Sequence, residues 1–245
     1  MENNSLVSVS SFGELVLSSP FGDVATDYAE IALDLLFQDG SLFEQVPIVK
    51  TGISFLKAGK LLHERAELKK QLVFLQQFSR GNPNQKELER RKKAYRNGEK
   101  WFFEEVERLA LYLSKQIDYQ KAKITAELYI DLLNGRIENY QFNEYLDVVD
   151  RLFVSDIAVL EKHYTAEKEH DPSKLSEEEK EMNSWRPKCD AAPCNRLAAI
   201  GLLNALHGMR YGFTSADYYD ITPQGQYFAE VIQRLSNVNS AEVGK

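Results

Sequence analysis

A chain of 245 residues with 43% hydrophobic and 27% charged side chains holds enough apolar material for a packed core, which excludes wholesale disorder; its length allows one large or two small domains. No run approaches 18 consecutive apolar residues, and the first twenty carry Glu2 and Glu14 but no Lys or Arg, so neither a membrane span nor a signal peptide is expected, and the expected location is the cytoplasm. The net charge of −7 is unevenly spread: residues 50–100 hold 14 Lys and Arg against 5 Glu, a balance of +9, which leaves −16 for the remainder.

Residues 1–20 are rich in serine, end at Pro20 and show no sustained period, and read as a loose N-terminal arm with room for one short element. From Asp23, apolar residues Val24, Tyr28, Ile31, Leu35 and Leu36 recur at helical spacing until Asp39-Gly40 stops them. Pro47 suits the first turn of a second helix running through Leu62 towards Phe78. At 100° per residue Gly52, Gly59 and Ala66 share one line on it, opposite Lys50, Lys57 and Glu64, which predicts a small-residue groove for close helix packing. A bolder reading makes residues 23–62 a helical hairpin that enters a membrane, but an apolar stretch of about 15 residues is short for a span, so a membrane partner is not expected.

Gly81-Asn82-Pro83-Asn84 is a turn, and after it Lys86, Arg90, Arg91, Lys92, Lys93 and Arg96 alternate with Glu87 and Glu89. This strip is the candidate anion or nucleic-acid surface, together with Arg196 and Arg210 further on; the plainer alternative is a solvated helix laced by ion pairs. Three more helices follow: one on Phe102, Val106, Leu109 and Leu113, one on Ile124, Leu128 and Leu132 closed by Gly135, and one on Phe142, Leu146, Val149 and Phe153. Residues 21–144 are read as a helical bundle domain.

Ser155-Asp156 opens a helix on Ile157 and Leu160 that ends near Tyr164. Residues 165–194 are acidic, carry three prolines and few large apolar side chains, and read as a mobile insertion. Gly201 then suits a helix C-terminus, Thr222 an N-cap with Pro223 at the first helical position, and Phe228, Val231, Ile232 and Leu235 follow at i, i+3, i+4 and i+7. His207 to Asp217, with Gly208 and Gly212, reads as a hairpin-like wing, and 238–245 as a disordered tail.

The segment Asn195-Arg196-Leu197-Ala198-Ala199-Ile200-Gly201-Leu202-Leu203 resembles the second helix of a winged-helix fold, and Tyr218-Tyr219-Asp220-Ile221-Thr222-Pro223-Gln224-Gly225 resembles a returning wing strand with the cap of the last helix. With the block PIVKTGISFLKAGKLLHERAELKKQLVFL and a helical middle, the chain from Phe21 resembles a largely uncharacterised bacterial helical family that ends in such a module. That resemblance implies a winged-helix-like module over 145–237, carrying the 165–194 insertion, and a mobile-element or phage-defence setting of the abortive-infection kind. It carries no catalytic residue over.

Chemistry is sparse in the sequence. The four histidines, His63, His163, His170 and His207, lie in no nucleophile, zincin or phosphotransfer motif, and carboxylate pairs such as Glu104-Glu105 read as solvated. His163, His170, Cys189 and Cys194 supply zinc-type donors, but six residues between the histidines exceed the usual spacing, so no metal is expected. Two cysteines make no disulfide framework, in keeping with a reducing compartment. The expectation is therefore a mainly α protein, an N-terminal bundle with a C-terminal winged-helix-like module. It needs no cofactor and acts without catalysis through protein contacts or self-association. The alternatives are a winged-helix DNA-binding regulator, or the membrane-active hairpin. Arg196 and Asn195 are followed by Leu, Ala, Ala, Ile and Gly where base-reading side chains would be needed, so any nucleic-acid binding is expected to be non-specific.

Overall fold

The computed structural model describes residues 12–14, 16–17, 62–170, 176, 186–187, 190–206 and 218–243. The expected helix from Asp23, the groove residues Gly52 and Gly59, the hairpin up to Leu61, the wing 207–217 with Arg210, and Cys189 all lie outside them. The protein is mainly helical and divides into two compact units that meet in sequence at Asp150 and Arg151. The sequence-based boundary at 144/145 falls inside a helix.

In the first unit, α1 (Leu62–Arg80) packs along α4 (Tyr119–Leu133) and against α3 (Lys100–Lys115), and α2 (Gln85–Arg96) packs on α3; α5 spans Asn139–Arg151. Ala66, the third groove residue, falls in α1. Helix α4 is enclosed: Ile124, Leu128, Tyr129, Ile130 and Leu133 are buried, and so are Glu127 and Asp131. Polar groups survive there because each has a partner: Gln77 Nε2 donates to Glu127 Oε1 at 2.8 Å and Arg136 Nη1 to Asp131 Oδ1 at 2.8 Å.

Local chemistry sets the helix ends. Asp118 accepts the Gln120 N–H at 2.8 Å to start α4, and Gly135, at φ +67°, ends it while the Arg136 N–H reaches back to the Asp131 carbonyl at 2.9 Å. Lys70 Nζ donates to the carbonyls of Ser114 and Gln116 at 2.7 and 2.9 Å, which places a buried cation at the C-terminus of α3. A chain of rings from Phe12 through Phe74, Phe78 and Tyr129 to Phe142, with centroids 5.6 to 6.1 Å apart, fills the core.

Three expectations are corrected here. Residues 12–14 and 16–17 are helical, the one short element the arm had room for, but Phe12, Val16 and Leu17 are buried, with Phe12 against Phe74 of α1, so this part of the first twenty residues is packed rather than loose. Phe153 lies beyond the end of α5 and is exposed, since the helix stops at Arg151 and turns its face away. The expected tail is helical as far as Val243.

The second unit starts with a 3-10 turn, Val154–Asp156, and α6 (Ile157–Glu169), which runs five residues past its expected end near Tyr164 and takes in the start of the expected acidic insertion. Tyr164 anchors this last stretch, its hydroxyl donating to Glu230 Oε1 at 3.0 Å. Then come α7 (Ala191–Ala199), β1 (Leu203–Leu206), β2 (Tyr218–Ile221) and α8 (Pro223–Val243). The strands pair antiparallel, Leu203 opposite Ile221 and Leu206 opposite Tyr218. Gly201, at φ +80°, turns the chain from α7 into β1, and the Leu202 N–H returns to the Leu197 carbonyl at 2.9 Å. Thr222 caps α8: its Oγ1 accepts the Gly225 N–H at 2.9 Å and donates to the Gly201 carbonyl at 2.7 Å, which ties the last helix to the turn before β1.

Candidate functional site

The basic strip of α2 is two surfaces. Its inward face carries Arg91, 3% exposed. Arg91 Nε and Nη2 donate to Glu105 Oε1 and Oε2 of α3 at 2.8 and 3.1 Å, Nη1 donates to Glu87 Oε2 at 2.8 Å, and Tyr129 of α4 donates its hydroxyl proton to Glu105 Oε1 at 2.6 Å. Burial by itself would weaken the Arg91 charge, but Tyr129 and Glu105 outweigh it and hold its pKa above the ordinary value. Burial and the Glu105 carboxylate push the Tyr129 phenol well above its usual range, so it stays a donor. Arg91 therefore belongs to the joint of three helices and is unavailable to a phosphate, which corrects its place in the anion-binding set. Glu105, read from sequence as solvated, is its bidentate partner.

The outward face keeps the solvated character that its interspersed glutamates imply. Arg90 pairs with Glu87 at 2.9 Å and its guanidinium lies 4.8 Å from the ring centroid of Trp101, while Lys92 pairs with Glu89 at 2.7 Å. Trp101 Nε1 in turn donates to Glu99 Oε2 at 2.7 Å. Lys93 and Arg96 are exposed. The cations that remain for a polyanion on α2 are thus Lys86, Arg90, Lys92, Lys93 and Arg96, and two of the five already hold carboxylates.

The second unit places Arg196, in α7, over Asp156 at the start of α6. Arg196 Nε donates to Oδ2 at 2.8 Å and Nη2 to Oδ1 at 2.6 Å, and the guanidinium stacks 5.0 Å from the Phe153 ring centroid. The exposure of Phe153 thereby has a local role, since it forms the shelf on which Arg196 rests. Beside it, Tyr219 donates its hydroxyl to Asn195 Oδ1 at 2.6 Å, and Arg186 pairs with Asp220 of β2. Both polar residues at the head of the expected recognition helix are therefore engaged within the unit.

His163, in α6, is buried with Nε2 3.7 Å from Cys194 Sγ, while His170 caps the exposed end of the same helix. Cys194 is disulfide-bonded, which corrects the expectation drawn from a reducing compartment and removes its sulfur from the thiolate donors zinc requires. No group of three or more His, Cys, Asp or Glu able to hold a metal occurs among the described residues. No described helix is long and apolar enough to cross a membrane.

Burial lowers the His163 pKa below the usual imidazole value against the opposing effect of a hydrogen bond that the ring donates to the Tyr219 backbone carbonyl. A depressed histidine pKa means that the unfolded chain binds the proton more readily. The stabilising contribution is thus fully present above pH ~6.5 and falls away as the pH drops from there to the folded pKa. The second unit is expected to lose stability below pH ~6.5 with a slope of at most about 1.4 kcal/mol per pH unit from this residue. Urea unfolding at pH 8, 6 and 5 for wild type and His163→Gln measures it, and equal slopes in the two proteins would remove His163 as the cause.

No family model, curated protein or solved structure matches the chain.

Proposed function

We propose that the protein is a non-enzymatic binding or assembly protein that acts through protein contacts, its second unit being a winged-helix-like module turned to that use. The observation that carries the choice over a DNA-binding regulator is the commitment of Arg196: the Nε/Nη2 edge of its guanidinium goes to Asp156 and its face to Phe153. A base-reading arginine must present its fork to the groove, and freeing this one breaks a charge-assisted pair with a buried carboxylate. The order helix, helix, strand, strand, helix, with Gly201 and Thr222 at the turns, supports the winged-helix-like reading. Ile117, 96% exposed, and the exposed Leu111 and Tyr140 add apolar surface of the kind protein contacts use. The bacterial resemblance, and with it a phage-defence or prophage setting, belongs to the same proposal.

Fluorescence anisotropy with defined DNA duplexes near physiological salt tests it. Binding is expected to be weaker than about 1 μM and without sequence preference. It should fall further when Arg90, Lys92, Lys93 and Arg96 become Glu with Arg91 left in place, and be unaffected by Arg196→Ala. A duplex bound at about 10 nM whose discrimination disappears in Arg196→Ala makes the module a sequence reader and overturns the proposal.

A further inference from the structure

Helix α3 turns the buried stripe Phe102, Val106, Leu109 and Leu113 inward and exposes Lys100, Glu104, Glu107, Arg108, Leu111 and Lys115 along the opposite side. Part of that outer stripe is satisfied within the chain: Lys100 Nζ pairs with Glu104 Oε1 at 2.9 Å, and Arg108 Nη1 donates to Asn143 Oδ1 of α5 at 2.7 Å. Three members are not. Leu111 is 53% exposed, and neither Glu107 nor Lys115 forms an ion pair among the described residues, the Lys115 ammonium lying 5.3 Å from the Tyr112 ring centroid. Leu111 stands midway between the two charges, so Glu107 lies one turn, about 6 Å, on its N-terminal side and Lys115 as far on its C-terminal side. About 12 Å apart on one helix, they are separated by more than a Debye length at physiological salt and do little for each other. An acid, an apolar residue and a base at equal spacing are self-complementary when the helix is turned end for end. A two-fold axis through Leu111 sets each Glu107 against the Lys115 of a second copy, on either side of a contact between the two leucines.

We propose that α3 is a homodimerisation helix, on which two copies of the chain cross antiparallel at Leu111 and are held by two Glu107–Lys115 pairs. Charge selects the occupant. A uniformly acidic or basic partner satisfies one of the two charges and repels the other, whereas a second copy satisfies both. The neighbouring α5 limits the contact. Arg108 meets Asn143 and Tyr112 meets Asp147, 35 residues apart in each case, so α5 runs parallel to α3 and brings its exposed Glu144 and Asp147 near the level of Leu111. Across the axis these acids face their own counterparts, so the α5 helices splay apart and the α3 helices carry the contact. One crossing point of this kind buries less than a standard interface and forms a weak, reversible dimer. The inference rests on the protein-contact reading and names the partner.

Sedimentation equilibrium of the full chain tests it. Wild type is expected to show a monomer–dimer equilibrium with a dissociation constant on the order of 10–100 μM. Glu107→Lys and Lys115→Glu, both at exposed positions and both keeping wild-type circular dichroism, should each weaken it roughly tenfold, because two attractive pairs become two repulsive ones. Mixed in equal amounts, with one variant fluorescently labelled, the two should recover wild-type affinity as a heterodimer, since the two reversed side chains then face each other and so do the two unchanged ones. Leu111→Glu, which sets two carboxylates on the axis, should leave only monomer. A wild type that stays monomeric up to about 1 mM, single reversals that dimerise as wild type does, or a mixture that fails to recover overturns the proposal. A monomer without sequence-specific DNA binding removes α3 as the contact and leaves the protein-contact reading standing, whereas a duplex read through Arg196 removes that reading whatever α3 does.

Discussion

Replacing Arg91 with methionine is expected to cost the first unit about 3 kcal/mol, because it leaves the half-buried Glu105 carboxylate without its bidentate partner while Glu87 loses one of its two arginines. Tyr129, still donating to Glu105, cannot compensate for a missing positive charge. Arg91→Lys should recover little, since an ammonium offers no planar fork to span both oxygens of Glu105 and one of Glu87. Removing both charges is the sharper test: Arg91→Met with Glu105→Leu should lose less than the sum of the two single losses, by about 1 kcal/mol or more, as expected for partners in one network. Trp101 lies 5.8 Å from the Arg91 guanidinium and reports directly on this joint when Trp185 is replaced with Phe. Urea unfolding followed by its fluorescence gives all four values, and strict additivity would show that the pair holds nothing together. By contrast, Lys92→Ala, one helical position away on the exposed face, should change stability by less than about 0.5 kcal/mol.

The second large effect is expected at Gly225. A Cβ built there would sit 2.1 Å from the Leu202 carbonyl oxygen and 2.8 Å from Ile221 Cγ1. That carbonyl is fixed, because it accepts the Thr222 N–H at 3.1 Å, so the strain cannot be relieved by a side-chain rotation. Gly225→Ala should therefore destabilise the second unit by about 3 kcal/mol, at the upper end of what overpacking costs. Thr222→Ala, which removes only the cap, should cost about 1 kcal/mol. Hydrogen exchange of the β2 and α8 peptides resolves the two: in Gly225→Ala the loss of protection should extend through Tyr219 and Phe228, whereas in Thr222→Ala it should stay at the first turn. Wild-type protection in Gly225→Ala would mean that the first turn of α8 can move off β1.

Helices were legible where the cause is local. The spacing of Phe102, Val106, Leu109 and Leu113 fixes the buried face of α3, and Gly135, Gly201 and Thr222 announce their turns because left-handed backbone and orphan N–H groups demand particular residue types at one place in the chain. The same local reading missed Glu105, since its partner Arg91 stands 14 residues away and no period links the two. It also missed the identity of Arg91 among its neighbours: Arg90, Arg91, Lys92 and Lys93 are chemically alike, and only the angle of α2 against α3 and α4 turns one of them inward.

The second unit repeats the contrast. Its caps followed from Gly201 and Thr222, and β2 from the winged-helix resemblance alone, but β1 at Leu203–Leu206, the pairing of Arg196 with Asp156 across 40 residues, the Phe153 shelf beneath it and the meeting of His163 with Cys194 needed the elements of the unit to pack. Sequence by itself determined the mainly helical class, the turns marked by Gly135, Gly201 and Thr222 and the apolar face of α3, because backbone hydrogen bonding and side-chain periodicity act over one or two turns. Tertiary structure alone decided which charges are spent inside and which face water, because a charge buried in low dielectric persists only where folding delivers its partner from elsewhere in the chain.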